Sequence, residues 1–225
     1  MAFNVDVFKN SGLIYGGARP SLFQVDLTFP AELSRSVANR RFSFTCRATS
    51  IPGSTVQAVE VPYFGRTVKL AGDRTFDNWN VTVMNDEDYT VRNAFEDWSN
   101  ALNSMVGNQR LISVGTSGAL GGGAATSTGG YKMDALITHF SKGGQAGGPG
   151  ANGVSGTPIK QYVIVGIFPI DVASMAMDWD STNQIQTFDV TFAYDYWLPV
   201  NAGINTGAAG NISNLIQASG FKAAG

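Results

Sequence analysis

The segment from Arg66 to Met105 constrains what this chain can fold into more than any other, because it spells a short strand, a turn, a second strand and then a strongly amphipathic helix. From Tyr89 onward the apolar residues Val91, Ala94, Phe95, Trp98, Ala101, Leu102 and Met105 recur at i, i+3, i+4 and i+7, the spacing of one buried helical face. Arg92, Asn93, Glu96, Asp97, Asn100 and Asn103 fall on the opposite face. Asp86, Glu87 and Asp88 stand where they can cap the first turn and complement the positive end of the helix dipole, and Gly107 stands where the helix is expected to close. This pattern predicts a helix laid on a sheet, with Val91, Phe95, Trp98 and Leu102 as its contribution to the core. No second long helix is predicted.

Alternation supplies the sheet. In Leu22–Phe29, Phe23, Val25, Leu27 and Phe29 alternate with Leu22, Gln24, Asp26 and Thr28, a half-buried strand ended by Pro30. Arg41–Ser50 repeats the pattern, with Phe42, Phe44, Cys46 and Ala48 on one side, before Pro52-Gly53 forces a turn. Thr55–Tyr63 and Arg66–Leu70 read as a hairpin around Phe64-Gly65, and Asn78–Met84 as a strand with Trp79, Val81 and Val83 inward. Three more strands follow the helix: Tyr131–Phe140; Gln161–Phe168, apolar on both faces and therefore central; and Ile185–Trp197. In the last, Phe188, Val190, Phe192, Tyr194 and Tyr196 alternate with Thr187, Asp189, Thr191, Ala193 and Asp195. About eight strands and one helix make an all-β fold of the sandwich or half-barrel kind.

Composition narrows what such a fold does. Charged residues are 14% of the 225, against roughly 25% in an average soluble domain. A β-rich chain with so little charge is expected to bury surface against copies of itself. The net charge of −2 argues against tight nucleic-acid binding, which needs clustered Lys and Arg. Cys46 is the only cysteine, so no intrachain disulfide forms and a small buried apolar role is expected. The N-terminus lacks a signal-peptide pattern and no run approaches the ~20 apolar residues of a membrane span, which predicts synthesis and assembly in the cytoplasm and no membrane insertion. We expect one domain over residues 1–225, with Gly-rich loops at 115–130 and 143–156 and a C-terminal arm at 199–225.

The sequence offers little to a catalytic reading. His139 is the only histidine, no serine sits in a G-x-S-x-G elbow, and His139 reads as a polar residue at a strand end. Lys142-Gly-Gly lacks the spacing of a phosphate loop. Asp86-Glu87-Asp88 reads as helix capping and Asp178-Trp179-Asp180 as a turn, neither offering a full shell for a hard cation. Trp79, Trp98, Trp179 and Trp197 have apolar or acidic neighbours, so they read as packing and interface residues and not as base-stacking platforms. No enzyme activity, metal or cofactor is expected.

Four fragments in order carry a resemblance: Phe23-Gln-Val-Asp-Leu-Thr-Phe-Pro30, Ser50-Ile-Pro-Gly53, the strand-turn-strand that follows, and Val91-Arg-Asn-Ala-Phe-Glu-Asp-Trp-Ser-Asn100. Together they resemble the tail tube proteins of contractile-tailed bacteriophages, over Leu13–Met105 and again over Gln161–Pro199. The resemblance implies a structural virion protein, made in the host cytoplasm, whose hexameric rings carry a continuous inner β-barrel and stack into the tube inside a contractile sheath. The implied partners are other copies of the chain, the tail sheath protein, the baseplate or tail initiator, the tail terminator, and double-stranded DNA passing through the lumen without specific binding. The tubes of type VI secretion systems and phage-tail-like bacteriocins share such a ring and stay open as alternatives. A small carbohydrate-binding or hydrolase β-sandwich is the alternative of another class, and it would need a pocket with convergent polar groups.

Two surfaces are singled out. Gln24, Asp26, Thr28, Thr187, Asp189 and Thr191 form short, neutral or acidic strand faces. Read alone they are an ordinary solvated sheet surface; with the resemblance they become candidates to line a bore through which a polyanion slides. Val61, Tyr63, Phe64, Arg66 and Lys69 mix apolar and charged groups on the hairpin, as a polar-rimmed contact between subunits does, although an ordinary surface hairpin reads similarly.

Overall fold

The computed structural model describes residues 18–33, 35–112, 130–141 and 158–201. The expected Gly-rich loops lie outside the described residues apart from Gly130, and so does the expected arm 199–225 apart from residues 199–201, which are strand and not arm. The described strands are β1 (Phe23–Leu27), β2 (Cys46–Thr49), β3 (Thr55–Tyr63), β4 (Arg66–Thr75), β5 (Trp79–Met84), β6 (Met133–Phe140), β7 (Pro158–Val172), β8 (Thr187–Ala193) and β9 (Tyr196–Asn201). Two α-helices, α1 (Ser36–Thr45) and α2 (Thr90–Leu102), accompany them. Seven strands share one antiparallel sheet in the order β1-β6-β7-β8-β5-β2, with β9 also paired to β7, and β3 and β4 form a sheet of their own. The fold is mainly β, as expected, and the sheet does not close on itself as a barrel among the described residues.

One face of the large sheet is the core. Register brings Val25, Ile137 and Tyr162 into one row and Leu27, Ala135 and Ile164 into the next, and brings Trp79 opposite Phe192, Val81 opposite Val190 and Val83 opposite Phe188. Helix α2 lays Val91, Ala94, Phe95 and Trp98 on this face, all four fully buried, while Leu102 is half-buried against it. Phe29, Phe42, Phe95, Trp98, Phe188 and Phe192 interlock around them, mostly edge to face, the arrangement that ring quadrupoles favour. The Trp98 indole N–H donates to the Tyr131 carbonyl at 3.0 Å, so its one polar group is satisfied in the core.

The first correction is α1. Arg41–Ser50 is not one strand: Arg41–Thr45 is helical and only Cys46–Thr49 is extended. Helical spacing sends Ala38 and Phe42 into the core and leaves Phe44 77% exposed, whereas a strand would have put Phe42 and Phe44 on one face. What decides the contest is tertiary. Arg41 donates to Asp86 (2.7 Å), Asp88 (3.0 Å) and Thr90 (2.9 Å), Arg35 pairs with Asp97, and Asn39 Oδ1 accepts the Phe29 N–H at 2.9 Å.

The same contacts correct the capping of α2. Its N-cap is Tyr89, in the left-handed region at φ 52° with no side-chain cap, because Asp86 and Asp88 are taken up by Arg41. The helix also ends earlier than expected. The Leu111 and Ile112 N–H groups donate to the Ala101 carbonyl as the chain turns back, leaving Met105 78% exposed and Gly107 in the turn beyond.

The third correction concerns Ile185–Trp197, which is two strands, β8 and β9, with a break at Tyr194-Asp195. Both pair with the long strand β7: Phe168 opposite Ala193, then Val165 opposite Tyr196. The break answers one in β7, where Gly166 has φ +71°. Alternation slips by one on both strands at once, so pairing continues but Tyr196 lands on the face away from the core, opposite its expected side. Gly166 is required there. A Cβ would stand 2.3 Å from an Asp195 carboxylate oxygen, and the backbone conformation is one that side chains disfavour. Asp134 Oδ1 accepts the Gly166 N–H at 3.0 Å, and Lys132 clamps both Asp195 oxygens at 2.7 and 2.8 Å.

Candidate assembly surfaces

The face of the large sheet away from the helices holds the first candidate surface. Register carries Gln24, Thr138, Gln161 and Val200 across one row and Asp26, Leu136, Val163 and Leu198 across the next. Gln24 donates to Asp26 at 2.9 Å, so the two side chains share this surface. On the other half of the sheet Asn80 stands opposite Thr191, Thr82 opposite Asp189 and Met84 opposite Thr187. The Thr82 hydroxyl donates to Asp189 at 2.6 Å. Five of the six expected lining residues are therefore on this face, in two groups rather than one strip. Between them lies a small apolar cluster of Val163, Val165 and Val200 with Leu136 packed on it. Thr28 follows the end of β1 and is exposed.

The second surface is the β3–β4 hairpin. Every residue of both strands is exposed except half-exposed Gly72, so a pair of strands of nine and ten residues has neither face packed on the core. Two-stranded ribbons of this kind are marginal in water by themselves. The base is tied down. The Trp79 indole donates to the Ser50 carbonyl at 3.0 Å, the Trp197 indole to the Gly53 carbonyl at 3.1 Å, and Phe76 packs on Tyr194 where the hairpin returns. The ribbon bulges between Val56 and Ala58, where a Cβ at Gly72 would stand 2.9 Å from the Gln57 carbonyl oxygen.

The tip is chemically odd. Phe64 and Gly65 both have positive φ, at 42° and 77°, the geometry of a tight hairpin turn that normally takes Asn, Asp or Gly first. A Phe held in that region, 91% exposed and set edge-to-face with Tyr63 at 4.7 Å between ring centroids, costs conformational energy and gains little burial among the described residues. Val61, Val68 and Leu70 behind it are also exposed, and Lys69 makes a long pair with Glu60 at 3.5 Å. The five residues expected at a subunit contact thus occupy one end of the projecting ribbon. What sequence reasoning missed was the length of β4, five residues longer than expected, since Ala71 to Thr75 alternate too weakly to show it.

The remaining polar features serve the fold. Among the described residues no group of three or more His, Cys, Asp or Glu side chains could hold a metal ion. His139 Nε2 lies 2.8 Å from the Arg19 carbonyl oxygen, and Asp178 Oδ1 accepts the Asp180 N–H at 3.1 Å in a turn. Asp134 is the one buried carboxyl among the described residues. Burial raises its pKa, the Gly166 N–H opposes that, nearby Asp195 adds to it, and Oδ2 has no hydrogen-bond partner among the described residues. Burial pushes the Cys46 thiol up to about 12. No described helix is long and apolar enough to cross a membrane.

Comparison with known proteins follows the same outline. Residues 18–199 match the family described as phage tail tube protein. Two curated relatives, each named tail tube protein gp19, one from Enterobacteria phage T4 and one from Enterobacteria phage T6, are each 35% identical over 180 residues, spanning 80% of this chain and 90% of the relative. Among solved structures, the tube terminating cap of the anti-feeding prophage superposes with a TM-score of 0.50 at 17% identity, over 83% of this chain and 92% of the other, a likeness of fold.

Proposed function

The chain belongs to the phage tail tube protein family, and from that premise we propose that it forms stacked rings, six copies to a ring, around a lumen through which double-stranded DNA leaves the virion. It is a structural protein of the virion tail. Each copy acts as one domain and contributes its large sheet to a continuous inner barrel. Neighbours join at the strands that end the sheet, β1 on one side and β2 and β9 on the other. Closing a ring removes exposed sheet edges, which otherwise template uncontrolled pairing. Gln24, Asp26, Thr187, Asp189 and Thr191 face the lumen, where hydroxyls, amides and a few carboxylates offer DNA no row of cations to grip. The outer side meets a contractile sheath, and the ends of the stack meet the baseplate or initiator and the terminator. No covalent chemistry takes part.

The observation that carries this reading is the β3–β4 hairpin. A tail tube subunit must hold its neighbours, and here a firmly anchored ribbon presents Val61, Tyr63, Phe64, Arg66 and Lys69 with no partner face among the described residues. Phe64→Ala combined with Arg66→Ala tests it, since both side chains are exposed in the single copy. The double variant should melt with the parent yet fail to form tubes in sedimentation and electron microscopy. Tubes formed at the parental concentration would remove the hairpin from the assembly contact.

A further inference from the structure

The most exposed aromatic among the described residues is Trp179, and the proposed function gives it no role. Trp179 is 100% exposed, flanked by Met177 at 78% and followed by Ile185 at 67%, in the connection 173–186 between β7 and β8. Fully exposed tryptophan is uncommon, because no side chain loses more by facing water. Nor is the loop loose. The Ala173 N–H donates to Asp189 at 2.9 Å and the Ala173 carbonyl accepts from Arg92 at 2.7 Å. Gln186 donates to the Ala176 carbonyl at 3.2 Å, and its own carbonyl accepts the Asn85 N–H at 2.8 Å. At the tip the Ser181 and Thr182 N–H groups close turns on Asp178 and Asp180. The ring is held out by a structured support.

The chemistry of this surface complements that of the hairpin tip. Residues 173–186 include Asp178 and Asp180 and no Lys or Arg. The tip offers Tyr63, Phe64 and Arg66, and Arg66 makes no ion pair among the described residues. Trp, Tyr, Arg and Met are the residues enriched where interfaces bury their centres, and an arginine can lie on an indole face while reaching flanking carboxylates. Phe64 and Trp179 are both exposed in the single copy, so the described residues of one chain leave the two surfaces uncovered. We infer that the hairpin tip of one copy docks on the Met177–Trp179–Ile185 surface of another, with Arg66 between Asp178 and Asp180. The contact is heterologous: every copy gives a tip and receives one, so it does not close on a pair but links successive copies, around a ring or along a stack. This inference rests on the hairpin's proposed role as a contact between copies and names the surface that receives it.

The test uses full-length chains carrying Cys46→Ala. One preparation adds Phe64→Cys and the other, distinguishable by a size tag, adds Trp179→Cys; they are mixed, assembled and oxidised. The expected product is the mixed disulfide dimer, about tenfold or more above either self-pair, since docking raises the effective concentration of that thiol pair alone. Self-pairs at Phe64, or no mixed dimer in formed tubes, would overturn the inference. A charge exchange checks it without cysteines. Arg66→Glu, or Asp178→Arg with Asp180→Arg, should each raise the concentration needed for assembly about tenfold or more, and the three together should recover most of the loss. If hairpin variants block assembly while Trp179→Ala and the aspartate variants assemble like the parent, the hairpin keeps its role but docks elsewhere, and this inference fails. If neither set has an effect, the hairpin reading fails with it.

Discussion

Gly166 carries more of the architecture than any side chain near it. Its positive φ lets β7 change alternation where β8 gives way to β9, and the space a Cβ would fill is occupied by an Asp195 oxygen. Gly166→Ala should therefore destabilise the subunit by about 2 kcal/mol or more, from a disfavoured backbone and a displaced Asp195–Lys132 pair, read as a lower midpoint in urea. An unchanged midpoint would show that the kink is held elsewhere. Cys46 supplies a pH dependence. Its thiol moves from an ordinary value of 9.0 to about 12 on folding because burial disfavours the thiolate. Above pH 9 the unfolded chain has lost a proton that the folded chain keeps, so stability falls as pH rises from about 9 towards 12, and Cys46→Ala should flatten that fall. At pH 8 the thiol should react with a disulfide reagent far more slowly in the folded chain than in denaturant.

At the scale of elements, α1 and α2 show what a sequence discloses and what it withholds. Helix α2 was legible because Val91, Phe95 and Trp98 repeat on one stripe, a local signal that tertiary structure had no reason to overrule. The strands with clean alternation, β1 and β5, and the doubly apolar β7 were legible for the same reason. Helix α1 was not, since Phe42, Phe44 and Cys46 alternate as a strand would, and what favours the helix is distant: Arg41 reaching Asp86, Asp88 and Thr90, with Arg35 paired to Asp97. Partners more than 40 positions away leave no mark on local periodicity. The paired slip at Gly166 and Tyr194-Asp195 was hidden likewise, because each strand's break makes sense only beside the other's. Substitution separates the two readings of α1. Phe42→Ala and Trp98→Ala should each cost about 3–5 kcal/mol, while Phe44→Ala stays within about 0.5 kcal/mol. Equal losses at Phe42 and Phe44 would restore the strand.

For the whole molecule, the polar positions on the helix-distal face were readable as a pattern, but the face itself was not. Gln24 and Asp26 belong to one half of the sheet and Asp189 and Thr191 to the other, and the apolar Leu136–Val163–Val165–Val200 cluster between them emerges only when β6, β7 and β9 are in register. If that face lines a lumen, Asp26→Lys with Asp189→Lys repeats two new cations in every copy of every ring. The hydrogen bonds lost are single ones to Gln24 and Thr82, so tubes should still form. Open tubes of the variant should retain DNA at low salt and release it as salt is raised, because each phosphate contact is favoured by the counterions it releases and added salt opposes that release. Retention no greater than the parent's, in intact tubes, would turn the face outward.

If this chain assembles with itself through surfaces that a single copy leaves open, the assembly should be visible in electron microscopy of the purified full-length protein, with sedimentation of the same sample across a range of concentrations. The expected images show rings of six that stack into hollow tubes, with density for the β3–β4 hairpin crossing from one copy to the next. A monodisperse monomer at the highest concentration, or rings whose hairpins project free into solvent, would contradict such assembly.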